Sequence, residues 1–142
     1  MNVKVKKLKN TAYMPTKGSQ DSAGWDLYAA SDYVIPPGEV VKVGTGLSME
    51  VDPMFWIGIF ARSGLATKQG LRPANCVGVV DPDYRGEVIV ALYNDSYESH
   101  IVRAGDRIAQ MIILPIYNYN VIEVNELDDT ERGAGGFGST GE

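Results

Sequence analysis

The chain has 142 residues, 44% of them hydrophobic and 22% charged, and its formal net charge is −5. This length fits one domain with a substantial buried core, and no apolar run approaches the roughly 18–20 residues that would cross a bilayer. The negative charge, with no basic stripe, excludes a broad nucleic-acid surface. We therefore expect no nucleic-acid or membrane partner, and a cytoplasmic location because no targeting segment is seen.

Short strand patterns recur along most of the chain. Apolar residues from Val41 to Val51 repeat with a period of two, which is typical of a strand with one buried face. Four runs rich in β-branched or aromatic residues follow: Phe55–Ala61, Val77–Val80, Val88–Tyr93 and Ile108–Ile113. Turn residues separate these runs, and the pattern predicts an all-β fold, with a sandwich, a jelly roll and a barrel as alternatives.

One stretch has the features of a helix. Ser63 is a candidate N-cap, Gly70 is a candidate terminator, and the residues between them favour about two helical turns. Residues 132–142 are rich in glycine. We expect a single domain over residues 1–142, with a β core over 1–131 and a mobile C-terminal arm over 132–142.

Cys76 and His100 are the only cysteine and histidine of the chain. An internal disulfide is therefore excluded, and neither residue has the partners that a zinc cluster or a cysteine–histidine nucleophile pair needs. We expect Cys76 to be a small buried residue and His100 to lie on the surface.

Two segments in the first half of the chain carry candidate groups for binding metals or anions. Asp26 lies in the apolar stretch Ala23–Ala30, where a charge needs a partner or a metal shell; the alternative is an aspartate that caps backbone groups. Arg62, Ser63 and Gly64 precede or begin the predicted helix, and a guanidinium, a hydroxyl and free N–H groups suit an anion. A plain helix cap is the alternative for this segment.

The segment Gly78–Glu87 predicts a hairpin with Asp81 and Tyr84 in its turn. A carboxylate at that position is a candidate base for activating water. Because aspartate is also an ordinary turn residue, a structural hairpin is the alternative.

The last two segments add groups that suit a nucleotide. Gln110, in Gly105–Met111, can both donate and accept hydrogen bonds. In the arm, Arg132 suits a terminal phosphate and Phe137 suits a stacked base, although the glycine-rich composition alone favours a mobile tail.

Together and in this order, these segments resemble the five motifs of the homotrimeric dUTPase family. The matching segments are Ala23–Ala30, Arg62–Ala66, Gly78–Glu87, Gly105–Met111 and Arg132–Gly138. The resemblance covers nearly the whole chain. Its departures are Ala61, where the family more often has Pro or Gly, and Val80, where it more often has Ile.

The resemblance implies a jelly-roll-like, distorted β-barrel protomer, three copies of which share three active sites. It also implies hydrolysis of dUTP to dUMP and pyrophosphate with Mg²⁺ as cofactor, which keeps uracil out of DNA and supplies dUMP for dTMP synthesis. Asp81, as the catalytic base, would activate the water that attacks the α phosphate in line. Gln110 would act with it, holding the phosphates together with Arg62, Ser63 and Gly64.

The resemblance also implies how the nucleoside is held. Tyr84 would pack against the deoxyribose and leave no room for a 2′-hydroxyl. Asn75 and the hairpin backbone, Val80 included, would recognise the uracil edge. Phe137, followed by Gly138, would stack on the uracil as the arm closes.

The metal and the γ phosphate complete the implied site. Asp26 would contact water ligands of the Mg²⁺, and Arg132 would hold the γ phosphate. Because Mg²⁺ on a triphosphate keeps several waters, outer-sphere carboxylates are sufficient. The alternatives are a dCTP deaminase, which shares this fold, and a regulatory dUTPase that binds a protein partner.

Overall fold

The computed structural model describes residues 2–136, and in that range the chain forms eleven strands and one helix. Their bounds are β1 Lys4–Lys7, β2 Trp25–Tyr28, β3 Tyr33–Ile35, β4 Val40–Gly44, β5 Leu47–Glu50, β6 Phe55–Phe60, α1 Ser63–Gln69, β7 Leu71–Pro73, β8 Gly78–Val80, β9 Ile89–Asn94, β10 His100–Val102 and β11 Arg107–Pro115. The prediction of an all-β fold with one short helix is confirmed.

The strands pair in four antiparallel sheets, in the orders β2-β11-β6-β8, β4-β9-β7, β1-β5 and β10-β3. Most strands have three to six residues, so turns interrupt the ladders often. Within residues 2–136 the ladders therefore do not close into one continuous barrel, which is how the structure differs from the expected outline.

One hydrophobic cluster lies between these sheets. Its largest fully buried side chains come from five different strands and the start of β11: Leu27, Ile35, Leu47, Ile57, Leu92 and Ile108. The alternation predicted between Val41 and Val51 is present, but a turn at Gly44-Thr45-Gly46 divides it into β4 and β5. Gly46 has φ +67°, a backbone conformation that glycine adopts at little cost.

The helix α1 begins one residue later than a serine cap would require. Arg62 is the N-cap residue, with extended backbone and no side-chain cap hydrogen bond, and Ser63 is the first helical residue. The prediction of Ser63 as the cap is therefore wrong. The predicted stop at Gly70 is confirmed, because Gly70 has φ 66° and its N–H donates to the carbonyl of Leu65.

Beyond Pro115 the described chain has no further strand or helix. Residues 116–131 are mostly exposed, and their large apolar side chains are Tyr117, Tyr119, Val121, Ile122, Val124 and Leu127. This is an unusual amount of apolar surface for one segment. Between residues 2 and 136 no helix is long and apolar enough to span a membrane.

Candidate active site

Three of the motif segments meet at one end of the four-stranded sheet. Gln110 on β11 pairs with Asp26 on β2 and, on its other side, with Phe60 at the end of β6. Arg62 follows two residues after Phe60. The ladder register thus places the aspartate, the glutamine and the arginine side by side, although they are far apart in sequence.

Asp26 joins two arginines through its two carboxylate oxygens. Oδ1 accepts from Arg62 Nε at 2.9 Å, and Oδ2 accepts from Arg107 Nη1 at 3.4 Å. The Asp26 side chain is only 14% exposed, so water screens these contacts less than it would at the surface. The alternative in which Asp26 caps backbone groups is not what the structure shows, since its partners are guanidinium groups.

The Gln110 amide has a fixed orientation. Its Nε2 donates to the carbonyl of Ala61 at 2.9 Å. Gly24 lies against the other side of the amide, where an added Cβ would be 2.5 Å from Gln110 Oε1. Only a glycine at position 24 accommodates the amide without displacing it.

These groups line a polar cavity of about 220 Å³, which we call the phosphate cleft. Its lining residues are Gly18, Ser22, Gly24, Asp26, Arg62, Ser63, Gly64, Arg107 and Gln110. Two guanidinium groups against a single carboxylate leave an excess of positive charge. The cleft is therefore suited to bind an anion with several oxygens.

The turn of residues 81–87, which we call the hairpin, forms a second cavity of about 200 Å³, lined in part by Asp81, Tyr84 and Val80. The Tyr84 N–H donates to the carbonyl of Asp81 at 3.1 Å, and the Tyr84 hydroxyl donates to the carbonyl of Glu87 at 3.0 Å. An added Cβ at Gly86 would lie 2.3 Å from that hydroxyl. The tyrosine is thus held against the backbone, and the Asp81 carboxylate is exposed.

The phosphate cleft and the hairpin lie apart in one chain. Val80 pairs with Ile57 on β6, whereas Gln110 pairs with Phe60. Three residue steps along a strand cover about 10 Å, and Asp81 and Arg62 lie beyond those points in opposite directions. The two cavities also share no lining residue. One protomer therefore does not bring Asp81 to its own cleft.

The remaining predicted residues lie outside both cavities. Asn75 is exposed in the turn between β7 and β8. Arg132 is exposed, and its Nε donates to the carbonyl of Gly135 at 2.8 Å. Phe137 and Gly138 lie outside the described residues.

Cys76 corrects one expectation. It is exposed and has φ 60°, in a turn where the Cys76 N–H donates to the carbonyl of Pro73 at 3.2 Å. The prediction of a buried cysteine is wrong, because the tight turn between two short strands turns this side chain outward.

Two residues were not singled out from the sequence. Arg107 belongs to the segment Gly105–Met111, but its contact with Asp26 depends on the pairing of β2 and β11. The register of that pair shifts between Arg107 and Ala109, and such irregularities redirect side chains. Glu87 ends the hairpin segment, and its carboxylate contacts a distant turn at Gly46. In both cases the useful signal was a charged residue next to a strand that needs a partner.

The antiparallel fold and its two cavities define an all-β protein with an anion-binding cleft and a separate carboxylate-bearing hairpin. The dUTPase family model matches residues 10–141. Deoxyuridine 5'-triphosphate nucleotidohydrolase of Nautilia profundicola is 47% identical over 141 residues, covering 99% of each chain. The Yarrowia lipolytica protein of that name is 48% identical over 143 residues, covering 99% of this chain and 90% of its own. The chain belongs to the dUTPase family.

The fold is also similar to that of solved dUTPases. A mutant dUTPase of Staphylococcus bacteriophage 80alpha, solved with dUpNHpp, superposes with a TM-score of 0.91 at 26% identity, and the match covers 99% of each chain. The path of the chain is therefore the same even where most side chains differ.

Proposed function

We propose that the chain hydrolyses dUTP to dUMP and pyrophosphate. The observation that carries this proposal is the phosphate cleft, where three motif segments of a dUTPase-family chain converge on a cavity with two arginines. The names of the relatives, deoxyuridine 5'-triphosphate nucleotidohydrolases, support the same substrate.

In this proposal the cleft holds the α and β phosphates. Arg62 and Arg107 supply positive charge, with Asp26 keeping both guanidinium groups in place. The Gln110 amide and the Ser63 hydroxyl donate to phosphate oxygens, and Gly64, beside which no other group lies within 4 Å, leaves space for the anion. Donors that are fixed before the substrate arrives need no rearrangement as charge develops in the transition state.

Asp81 acts as the base in the proposed reaction. Its exposed carboxylate accepts a proton from a water molecule as that water attacks the α phosphorus. The bond between the α phosphorus and the bridging oxygen breaks, and pyrophosphate leaves with the electron pair. In-line placement of the water and the leaving group is the main task of the surrounding residues.

The hairpin cavity holds the nucleoside in this proposal. Tyr84, fixed by its hydrogen bond to the Glu87 carbonyl, packs against the deoxyribose and excludes a 2′-hydroxyl. The backbone near Val80 and the side chain of Asn75 recognise the uracil edge. Buried donors and acceptors of this kind discriminate strongly between bases, since a mismatched base leaves them unpaired.

Magnesium fits this chain only as an ion carried by the substrate. Among residues 2–136 no group of three or more His, Cys, Asp and Glu side chains could hold a metal. Asp26, already bonded to Arg62 and Arg107, is suited to accept hydrogen bonds from water on the ion. When bound, Mg²⁺ would neutralise charge on the triphosphate.

We further propose that the complete site forms between chains, in a homotrimer. The separation of the hairpin from the cleft within one protomer supports this arrangement. The exposed apolar side chains of residues 116–131 offer surface for association. The arm would add Arg132 at the γ phosphate and Phe137 and Gly138 at the base.

A pyrophosphate-release assay with dUTP, dTTP, dCTP and UTP, each with Mg²⁺, tests the activity. We expect release from dUTP at a rate far above that from the other three. Ammonia released from dCTP would instead identify a deaminase. A folded sample that is inert toward dUTP would favour a regulatory protein.

Mixed assemblies test the sharing of sites. Asp81→Asn chains and Arg62→Ala chains, each inactive alone, are co-expressed with different tags and purified together. Random assembly leaves about a quarter of the sites with an intact hairpin and an intact cleft, so up to about a quarter of wild-type activity should return. Two differently tagged Asp81→Asn chains serve as the control, and mixed assemblies that remain inactive would contradict sharing.

A further inference from the structure

We propose that Glu87 is a positioning residue for this reaction: its carboxylate fixes the base of the hairpin and thereby the orientation of Tyr84 against the sugar. The inference rests on the proposed function, because it concerns how the hairpin distinguishes dUTP from UTP. Glu87 itself is not expected to touch the substrate.

The Glu87 carboxylate is bound by groups outside the hairpin. Its Oε1 accepts from the N–H of Gly46 at 2.7 Å and lies 3.8 Å from Lys9 Nζ. The side chain is 23% exposed, so the contact with Gly46 is largely shielded from water. A hydrogen bond to an ionised acceptor is about twice as strong as a neutral one.

The turn between β4 and β5 is shaped to receive this carboxylate. An added Cβ at Gly44 would lie 2.5 Å from Glu87 Oε1, so only glycine leaves room there. Gly46 has φ +67°, and this left-handed conformation is part of the turn that presents its N–H to Glu87. Two glycines of one turn thus accommodate one acidic side chain of another segment.

The backbone of Glu87 carries this anchorage to Tyr84. The Glu87 carbonyl accepts the Tyr84 hydroxyl at 3.0 Å, and the ring lies against Gly86. Tyr84 is still 45% exposed, so part of its ring is open to a ligand. A shift of the Glu87 peptide would move the acceptor of the tyrosine and loosen its contact with the sugar.

The test measures kcat and KM for dUTP and UTP in Glu87→Ala, Glu87→Gln and wild type. Glu87→Ala should lower kcat for dUTP about tenfold and lower the preference for dUTP over UTP about tenfold, as expected when a charged hydrogen bond is lost. Glu87→Gln should retain most of both, since its amide oxygen still accepts from Gly46. A proton-accepting role for Glu87 would make Glu87→Gln as damaging as Glu87→Ala and would overturn the proposal.

Glu50→Gln is the matched control. Glu50 also contacts an N-terminal lysine, Lys4 at 2.6 Å, and a hairpin residue, Arg85 at 3.9 Å, but it is exposed. Its replacement should leave the preference for dUTP unchanged. Thermal unfolding of each variant shows whether the chain has folded.

A second variant keeps the test decisive if Glu87→Ala does not fold. Tyr84→Phe removes the hydroxyl that bonds to the Glu87 carbonyl and leaves the Glu87 side chain intact. It should lower the preference for dUTP, and an unchanged preference in Tyr84→Phe or in folded Glu87→Ala would overturn the inference. A wild-type chain that releases no pyrophosphate from dUTP would instead contradict the proposed function.

Discussion

In the phosphate cleft, charged side chains from neighbouring strands hold one another, whereas in the hairpin backbone groups hold the side chains. Asp26 is bonded to two guanidinium groups. Tyr84 is bonded to a carbonyl, and the residue after Glu87, Val88, is bonded through its own N–H to the carbonyl of Leu47. The difference separates charge placement from shape placement.

The two kinds of support should fail differently. A cleft held by ion pairs loses its arrangement when one charge is removed, because the remaining charges reorient or repel. A hairpin held by many backbone bonds tolerates the loss of one, since the others keep its shape. The hairpin's sensitive point is then the group that does chemistry, and the cleft's sensitive points are the groups that hold the arginines.

The largest expected effect is that of Asp81→Asn in the hairpin. If Asp81 is the base, kcat should fall by about 10²–10⁴-fold, while the fold and dUTP binding persist because its carboxylate is exposed. Single-turnover assays with a binding measurement on the same sample separate these quantities. Asp83→Asn, an exposed carboxylate two residues away, is the control and should turn over normally. Normal turnover in Asp81→Asn would remove the proposed base.

Asp26→Asn should have the next largest effect, because it removes the charge between Arg62 and Arg107. Hydrogen bonds to charged groups contribute about 1.5–3 kcal/mol, so kcat/KM for dUTP should fall about 10- to 100-fold. Steady-state kinetics at two Mg²⁺ concentrations provide the measurement. A loss that excess Mg²⁺ fully restores would favour a role of Asp26 toward the ion over its support of the arginines.

The apolar runs predicted the longer strands closely, whereas the shortest strands were not predicted. Residues 55–61 and 108–113 differ from β6 and β11 by only one or two residues at most ends, because burial on a sheet imposes the pattern directly. The strand β1 contains three lysines and exists because it pairs with β5. Such strands depend on a partner that is distant in sequence, so local preference does not reveal them.

The site was predictable in its members and less so in their contacts. Asp26, Arg62 and Gln110 were named from the sequence, and the register brings them together. The pairing of Asp26 with Arg107 follows from an irregularity in β11, and the anchorage of Glu87 follows from a left-handed turn at Gly46. Both are consequences of how separate segments meet, which no local pattern contains.

Thr45→Val tests the backbone support of the hairpin. The buried Thr45 hydroxyl donates to the carbonyl of Val88 at 2.7 Å, and that carbonyl also accepts the Thr45 N–H at 3.2 Å. Because the acceptor keeps a partner, the substitution should cost about 1 kcal/mol of stability and leave kcat nearly unchanged. Thermal unfolding and kinetics on one preparation check both. A large fall in kcat would show that a single bond, and not the set, holds the hairpin.

Thr67→Val is the matched control for that prediction. Thr67 Oγ1 donates to the carbonyl of Ser63 at 2.7 Å, but on the exposed face of α1. Its loss should change stability by less than about 0.5 kcal/mol.

The smallest expected effect is that of Asp32→Asn, which compares an exposed carboxylate–arginine pair with the shielded pair at Asp26. Asp32 Oδ2 accepts from Arg103 Nη1 at 2.7 Å, yet its side chain is 56% exposed. The N–H of Ala104 and, after it, the side chain of Arg103 hold the pKa of Asp32 below its ordinary value. A depressed pKa stabilises the fold above the unfolded-state pKa, and this contribution is lost as the pH falls through the folded-state value. The melting temperature of Asp32→Asn should therefore lie slightly below that of wild type at pH 7, with the gap closing as the pH falls below about 4. Thermal unfolding at pH 7, 5 and 3 checks this, and a gap that widens in acid would contradict it. The kinetics should stay at the wild-type level, because Asp32 contacts neither the cleft nor the hairpin, so the contrast with Asp26→Asn isolates the consequence of placing the same kind of pair inside the cleft.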